Sequence, residues 1–314
     1  MPLLSVIMPV KNGAAYIGAA VRSLQAQALR DWEIVVVNDH SADDTAGIVR
    51  ALGGSDGRIT LVDNPGRGKV QAVNHGYGFC RGELLKVVDA DDLLAPGFSA
   101  ALGRLRAAPA SYHDALLLDD RTGGLSRVRV GGRFASMSLE RSLRRIRVSP
   151  PFWSWTLARD VADRVFPLPT EVPFPHEDVF FGLTIKKAAR IAYVPLPLYV
   201  YRQHAGQAFG GLFDFSPALV GRRAAAMLGV IGAVEKSDIV RGFADPAGLL
   251  AASKEYFSLL GRERLAWKDI IRSRLGLAEK ARVAVIRKAP GAASWLSRHR
   301  TAGRLRDRVR ETAP

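Results

Sequence analysis

Three carboxylates stand together at the end of an apolar run, in Val87-Val88-Asp89-Ala90-Asp91-Asp92. Like charges this close repel and raise one another's pKa. A divalent cation among them removes that cost, since Mg2+ and Mn2+ take hard oxygen ligands and bridge one or two carboxylates to substrate phosphates. An isolated Asp-x-Asp is more often a solvated turn, with Asp91 or Asp92 capping the helix that follows. A second polar set, Asp39-His40-Ser41-Ala42-Asp43-Asp44-Thr45, follows Val35-Val36-Val37. Asp39 can accept hydrogen bonds from a base or ribose, while Ser41 or Asp43 caps the next helix. Glu177-Asp178, after a proline-rich run, offers a carboxylate base or simply the acidic first turn of a helix. Phe152, Trp153 and Trp155 could stack on an acceptor, or pack in a core as aromatic clusters usually do.

These groups need elements to hold them. Leu3–Val10, Trp32–Val37, Ile59–Val62 and Leu84–Val88 are short apolar strands, with Pro9 tolerated only at a strand end. Helical periodicity runs over Ala14–Ala28, Asp43–Leu52 and Gln71–Cys80 between them. Strands alternating with helices argue for a parallel α/β sheet. Asn12, Asp39 and Asp89 then fall at or just past the carboxyl ends of strands, where open α/β sheets bind ligands. Three polar strand ends in one series favour the metal reading of Asp89–Asp92 over the bland turn. Asp119–Arg133 reads as a hairpin or loop, Pro150–Trp155 as non-helical, Glu177–Lys187 as a helix, and the chain from Ser216 on as helical.

The 314-residue chain has 48% hydrophobic and 24% charged residues, which is enough apolar material for a substantial core. Its net charge is +15, and between Arg262 and Pro314 there are 15 Lys and Arg against 5 Asp and Glu. The basic excess is therefore mainly a property of the tail. Ala292–Leu305 mixes Trp295 and Leu296 with Arg298, Arg300 and Arg304, the composition of an interfacial helix that meets anionic lipid; a solvated surface is the other reading, and nucleic acid is disfavoured. One cysteine, Cys80, permits no internal disulfide and reads as packing. Ala224–Val234 and Ile191–Tyr201 are too short to span a bilayer, so the expectation is a cytoplasmic protein, attached peripherally through its tail to the inner face of the membrane.

The order of these motifs resembles family 2 glycosyltransferases. The resemblance runs through Ser5-Val-Ile-Met-Pro9-Val-Lys-Asn12, Tyr16, Ser23, Gln27, the Asp39 cluster, Asn64-Pro-Gly-Arg-Gly-Lys-Val-Gln-Ala72-Val-Asn74, Gly82-Glu83 and Asp89-Ala-Asp91-Asp92. It covers about the first 100 residues and returns at His176-Glu177-Asp178 and Tyr201-Arg202-Gln203-His204. It implies a GT-A-type, Rossmann-like, mostly parallel sheet flanked by helices, with a helical basic C-terminal extension. It also implies inverting transfer from a nucleotide-diphosphate sugar, a UDP-sugar by preference, to a glycan or lipid-linked acceptor in surface or exopolysaccharide synthesis.

Carried over by motif, Asp39 contacts the base in a pocket shaped by Pro9 and Asn12, with Arg67 beside it. Asp89 faces ribose or sugar, and Asp91 ligates Mn2+ or Mg2+, with Asp89 and His204 as further candidate ligands. Asp178 of the Glu177-Asp178 pair is the general base, and Arg202 and His204 approach the diphosphate. The chain departs from the pattern at Lys69-Val-Gln-Ala-Val-Asn74, where many relatives have Ser-Ala-Ala-Arg-Asn, so a basic contact is moved or lost. The expected organisation is a catalytic domain over 1–215, split into a donor half 1–100 and an acceptor half 101–215, then a helical region 216–314. Two other classes fit the sequence less well. A sugar-phosphate nucleotidyltransferase would need a longer glycine-rich basic loop than Lys11-Asn12-Gly13, and a non-catalytic GT-A-like binding protein would have no need to keep Asp89, Asp91 and Asp178.

Overall fold

A strand buried on both faces is built mostly of apolar side chains, and β1 (Leu4–Val10) and β2 (Trp32–Asn38) are buried along nearly their whole length. In this computed structural model, which describes residues 1–146, 149–172, 176–206 and 215–294, they pair in parallel from Leu4 opposite Trp32 to Val10 opposite Asn38. The edge strand β3 (Ile59–Asp63) adds to β2, and β4 (Leu84–Val87) lies on the other side of β1. The β1–β4 ladder ends at Ile7 opposite Val87, so Pro9 sits beyond it and pairs only with Val37 of β2. Helices α1 (Ile17–Gln25), α2 (Thr45–Ser55) and α3 (Lys69–Tyr77) make the crossovers. The third starts two residues before the sequence pattern suggested, because Gly68 takes a left-handed φ of 87° that turns the chain into it. Cys80 lies past its end, buried, with its thiol pushed up to about 12 by desolvation first and then by the charge of Glu33.

Beyond β4 the sheet turns antiparallel. Nine strands among the described residues run in the order β3-β2-β1-β4-β8-β6-β9-β5, with β7 on β6. Here β5 is Leu93–Leu94, β6 Ala110–Asp119, β7 Gly124–Val128, β8 Trp155–Ala158 and β9 Ile191–Gln203. The glycine-rich stretch after Asp119 is a hairpin, with Asp119 opposite Gly124 and Gly123 at φ 69°. Phe152–Ser154 is a single 3-10 turn, and Phe152, Trp153 and Trp155 are all buried, so these aromatics are core. Trp153 stacks flat on Tyr199 of β9, with centroids 4.6 Å apart at 4°. Short helices α4 (Leu102–Leu105), α5 (Arg133–Ser136), α6 (Leu139–Arg144) and α7 (Arg159–Val165) connect the strands, followed by α8 (Glu177–Ala188).

Two compact units share the chain, interleaved along it. The first comprises Met1–Ser136, Pro150–Thr170 and Thr184–Arg202 and contains the sheet; the second comprises Met137–Ser149, Glu171–Leu183 and Gln203–Pro314. Position 215, the expected boundary, lies inside the second. The described part of the C-terminal region is helical as expected: α9 (Pro217–Lys236), α10 (Pro246–Gly261), α11 (Trp267–Arg272) and α12 (Leu277–Lys288). Helix α10 opens with Pro246 behind Asp245, whose carboxylate accepts the Gly248 N–H at 2.8 Å. At 20 residues and mean hydropathy 1.3, α9 is long and apolar enough to cross a membrane, which Ala224–Val234 alone did not suggest. Its Val220, Ala224, Met227, Val230, Ile231 and Val234 are buried, the stripe of a helix packed into a protein core. The tail from residue 295, with Trp295 to Arg304, lies outside the described residues.

Candidate functional site

The carboxyl ends of β2, β1 and β4 lie side by side, and each releases a polar loop. After β1, Asn12 adopts a left-handed φ of 52°, as His40 does after β2 at 56°; asparagine and histidine are among the residues that tolerate this. The two loops are tied together. The Asn12 N–H donates to Ser41 Oγ at 2.9 Å, the Ala42 N–H donates to Asn12 Oδ1 at 2.7 Å, and the Gly13 N–H donates to Thr45 Oγ1 at 2.9 Å. Asp43 accepts the Ala14 N–H at 2.9 Å and also hydrogen-bonds Thr45, and the Thr45 hydroxyl is the first cause of its lowered pKa. Ser41 and Asp43 therefore stitch loop to loop, and α2 has Asp44 at its N-cap position with no side-chain cap.

Asp39 is 7% exposed and accepts from Asn64 Nδ2 at 2.7 Å and from the Gly68 N–H at 3.0 Å. It thereby locks the loop that precedes α3 against β2. Arg67, next to Gly68, is exposed. His40 Nε2 meets the Gly66 carbonyl at 2.7 Å.

The acidic turn after β4 divides its three aspartates between three environments. Asp89 is 22% exposed and pairs with Lys69 Nζ at 2.7 Å, so the basic residue at the start of α3 neutralises the first carboxylate. The Asp89 N–H donates to the Tyr199 hydroxyl at 3.0 Å. Asp92 is buried; desolvation first, then the charges of Asp91 and Asp89, push its pKa well above the usual carboxylate range. It accepts the Arg202 N–H at 2.7 Å through Oδ1, while Oδ2 is buried with no hydrogen-bond partner among the described residues. That is the pattern of a carboxyl that supports the turn and stays out of solvent. No helix follows for it to cap, since Leu93 and Leu94 enter β5 and pair with β9. Asp91 is left at the turn as a partly exposed carboxylate.

Arg202 braces this turn. Its Nε donates to the Asp91 carbonyl at 3.0 Å, its Nη1 pairs with Asp120 at 2.8 Å, and its guanidinium lies 5.1 Å from the Tyr16 ring centroid. Arg202, expected to reach a diphosphate, thus braces Asp91 through its side chain and Asp92 through its backbone N–H. Among the described residues no group of three or more His, Cys, Asp or Glu side chains gathers as a ready-made metal cage. The donor chemistry of Asp89 and Asp91 still fits a hard cation that takes most of its ligands from phosphate and water.

Glu177 and Asp178 open α8 within the second unit. Glu177 is buried, Asp178 is half-buried, and the Asp178 carbonyl accepts the Ser149 hydroxyl at 3.0 Å. His176, just before them, is pushed down to about 4, by desolvation first and then by the charge of Arg223. His204, one residue past β9, is half-buried and belongs to this unit as well.

Residues 5–112 match the sequence profile of "Glycosyl transferase family 2". Over this third of its length the chain is similar to glycosyltransferase family 2. EpsH of Bacillus subtilis is 28% identical over 215 residues, which is 65% of this chain and 61% of EpsH. The GalNAc(5)-diNAcBac-PP-undecaprenol beta-1,3-glucosyltransferase of Campylobacter jejuni is 38% identical over 104 residues, 32% of this chain and 34% of that enzyme. The chain thus spans less than two-thirds of these relatives. Among solved structures, the mannosyltransferase PcManGT of Pyrobaculum calidifontis, crystallised with GDP-Man and Mn2+, aligns with 94% of this chain and 81% of its own at a TM-score of 0.59 and 20% identity. That likeness carries the GT-A fold.

The first unit brings Pro9, Asn12, Asp39, Arg67, Asp89, Asp91 and Arg202 to strand ends and their loops, whereas Glu177, Asp178 and His204 belong to the second. Sequence reasoning missed three supporting residues. Lys69 was the departure from the family pattern, and its position directly after the Gly68 turn could have marked it as a site residue. Tyr199 and Asp120 carried no local signal, because only β9 and the β6–β7 hairpin bring them to the acidic turn.

Proposed function

We propose that this family 2 enzyme transfers a sugar, with inversion, from a nucleotide-diphosphate donor to a hydroxyl of a glycan or lipid-linked acceptor in surface or exopolysaccharide synthesis. The observation that carries the reading is the set of adjacent strand ends. There Asp39, fixed by Asn64 and Gly68, waits beside two stitched loops, and a turn braced by Arg202 presents Asp91. A uridine nucleotide is the donor favoured by the family resemblance, and the solved neighbour with GDP-Man makes guanosine the competitor.

Asp39 would accept hydrogen bonds from the base, with Pro9, Asn12 and Arg67 shaping its pocket. Asp89 would face ribose or sugar, exchanging Lys69 for substrate hydroxyls. Asp91, with Asp89 and His204 as further ligands, would hold Mn2+ or Mg2+, which stabilises charge on the departing diphosphate when bound. Asp178, backed by Glu177, would take the acceptor hydroxyl's proton as that oxygen attacks the anomeric carbon from the face opposite the leaving group. The new glycosidic bond forms as the bond from the anomeric carbon to the diphosphate oxygen breaks. Peripheral placement on the cytoplasmic face of the membrane, through the basic tail, completes the proposal.

Calorimetric titration of UDP, GDP and dTDP, with and without Mn2+, tests the donor site. Metal-dependent binding of one nucleotide supports it, and binding of none overturns it.

A further inference from the structure

The second unit contains a pocket of about 290 Å³ between α9, α10, α12 and the start of α8. Val220, Ala224 and Met227 recur along one stripe of α9 and form one wall. Tyr256 and Leu260 of α10 and Ile286 of α12 form the others. Against this apolar lining stands a small polar set: Arg223, Arg282, His176 and Asp178. His176 and Arg223 are close enough for the guanidinium to help keep the imidazole neutral. The Nε2 of His176 is buried with no hydrogen-bond partner among the described residues. Two guanidiniums against one carboxylate leave the set positive, and Arg282 is exposed.

Neither half of this lining suits an uncharged saccharide. A sugar ring needs a partner for almost every hydroxyl, and apolar walls leave those groups unsatisfied. A bare hydrocarbon would fill the walls but would have no use for two guanidiniums and an unpartnered imidazole nitrogen. An anionic head on an apolar chain satisfies both, because guanidinium forks match phosphate oxygens and the chain takes the Val, Met and Leu surface. The volume suits the head and the first carbons of such a molecule.

We infer that this pocket receives the phosphate and the first carbons of a lipid anchor on which the acceptor saccharide is carried. The inference rests on the glycosyltransferase reading, with Asp178 as base, since Asp178 lines the same pocket. It turns the choice between a free glycan and a lipid-linked acceptor into a choice for the second.

The test is calorimetric titration of the full chain with farnesyl diphosphate, farnesol and inorganic diphosphate. The expected result is binding of farnesyl diphosphate at least tenfold tighter than either of the others. Arg282→Ala, at an exposed position where folding is not at stake, and Arg223→Ala should together weaken farnesyl diphosphate at least tenfold, and Met227→Trp should block it by filling the apolar wall. Unchanged affinity in the double arginine variant would place the ligand elsewhere, on the basic tail for instance, and overturns the inference. So does inorganic diphosphate binding as tightly as farnesyl diphosphate, which would reduce the site to a cationic patch. Nucleotide titration of the wild type separates the two readings. Nucleotide binding without prenyl-phosphate binding removes the pocket alone, whereas no nucleotide binding removes the glycosyltransferase reading beneath it.

Discussion

Lys86 offers the sharpest test of the architecture behind the acidic turn. It is a lysine inside β4, 1% exposed, in a run that is otherwise Leu84-Leu85-Val87-Val88. Its Nζ donates to the Trp153 carbonyl at 2.7 Å and to His113 Nε2 at 2.9 Å. The Nδ1 of His113 contacts the Asp114 carbonyl at 2.8 Å and must carry the proton there, so Nε2 is the acceptor and the ring is neutral. Desolvation drives the Lys86 pKa down to about 7 against a weaker opposing pull from Asp89.

The sign of the consequence follows from proton counts. Between about 7 and the unfolded lysine value near 10.4 the unfolded chain holds the proton and the folded chain does not, so stability rises with pH across that window. Below pH 7 both states are protonated, and the full cost of the buried charge is present without further pH dependence. Each pH unit well inside the window changes the folding constant about tenfold, so from pH 7 to pH 9 the wild type should gain about 2 kcal/mol from this one group. Lys86→Met removes the titration, and it also leaves the Trp153 carbonyl and His113 Nε2 without their donor, at about 1–3 kcal/mol per group. Urea denaturation of both proteins at pH 7, 8 and 9 reads the prediction directly: the stability of the wild type relative to Lys86→Met should rise by about 2 kcal/mol from pH 7 to pH 9. A gap constant across that range would show that Lys86 keeps an ordinary pKa, and would refute the claim that burial controls it.

Four further outcomes are expected. Asp91→Ala should remove the Mn2+ dependence of nucleotide binding, and retained dependence in calorimetry would move the metal site to other residues. Asp178→Asn should bind donor normally and lose transfer by about 10²–10⁴-fold, as loss of a general base does, while wild-type turnover would dismiss it as the base. Glu33→Gln should cost about 1–3 kcal/mol in chemical denaturation. Burial tends to raise the Glu33 pKa, but hydrogen bonds from Ser5 Oγ at 2.6 Å and from the Arg81 N–H and guanidinium bring it below 4.5 overall. Its contribution is therefore present above about 4.5 and disappears as the pH falls through its lower folded value, and Glu33→Gln should lack that acid sensitivity. Gly82→Ala should lower the melting temperature, because its new methyl would lie 2.6 Å from the Ser5 backbone nitrogen, an overpacking worth about 1–3 kcal/mol.

The parallel half of the sheet was legible because every signal there is local. Val35-Val36-Val37 and Val87-Val88 are buried strand runs, and the polar residue that ends each one is read straight from the chain. The antiparallel half was not. β8 is the four residues Trp155–Ala158, and β9 carries Pro195 and Pro197 within a 13-residue strand, so neither shows clean alternation. The acidic turn was found, but its partition into a paired, a presented and a buried carboxylate needs Lys69, Arg202 and Tyr199, which arrive from 20 to 113 positions away along the chain. Lys86 did leave a trace, as a charge within an apolar strand. Only the fold reveals that His113 and the Trp153 carbonyl receive it.

The interleaving of the two units sets limits on how this protein can be cut or recombined. The chain passes between them after residues 136, 149, 170, 183 and 202. A fragment ending at 215 would keep Met137–Ser149 and Glu171–Leu183 but discard α9 to α12, the bulk of the unit to which those segments belong. The Ile146 N–H would lose the Ser253 hydroxyl it donates to at 3.1 Å, and Val179 its neighbours Val220 and Leu260 in the pocket wall. Such a fragment should be recovered as aggregate even though it contains every motif of the family. A graft that exchanges the second unit between relatives would have to carry two short internal segments along with the C-terminal helices, so the transferable cassette is a set of three pieces.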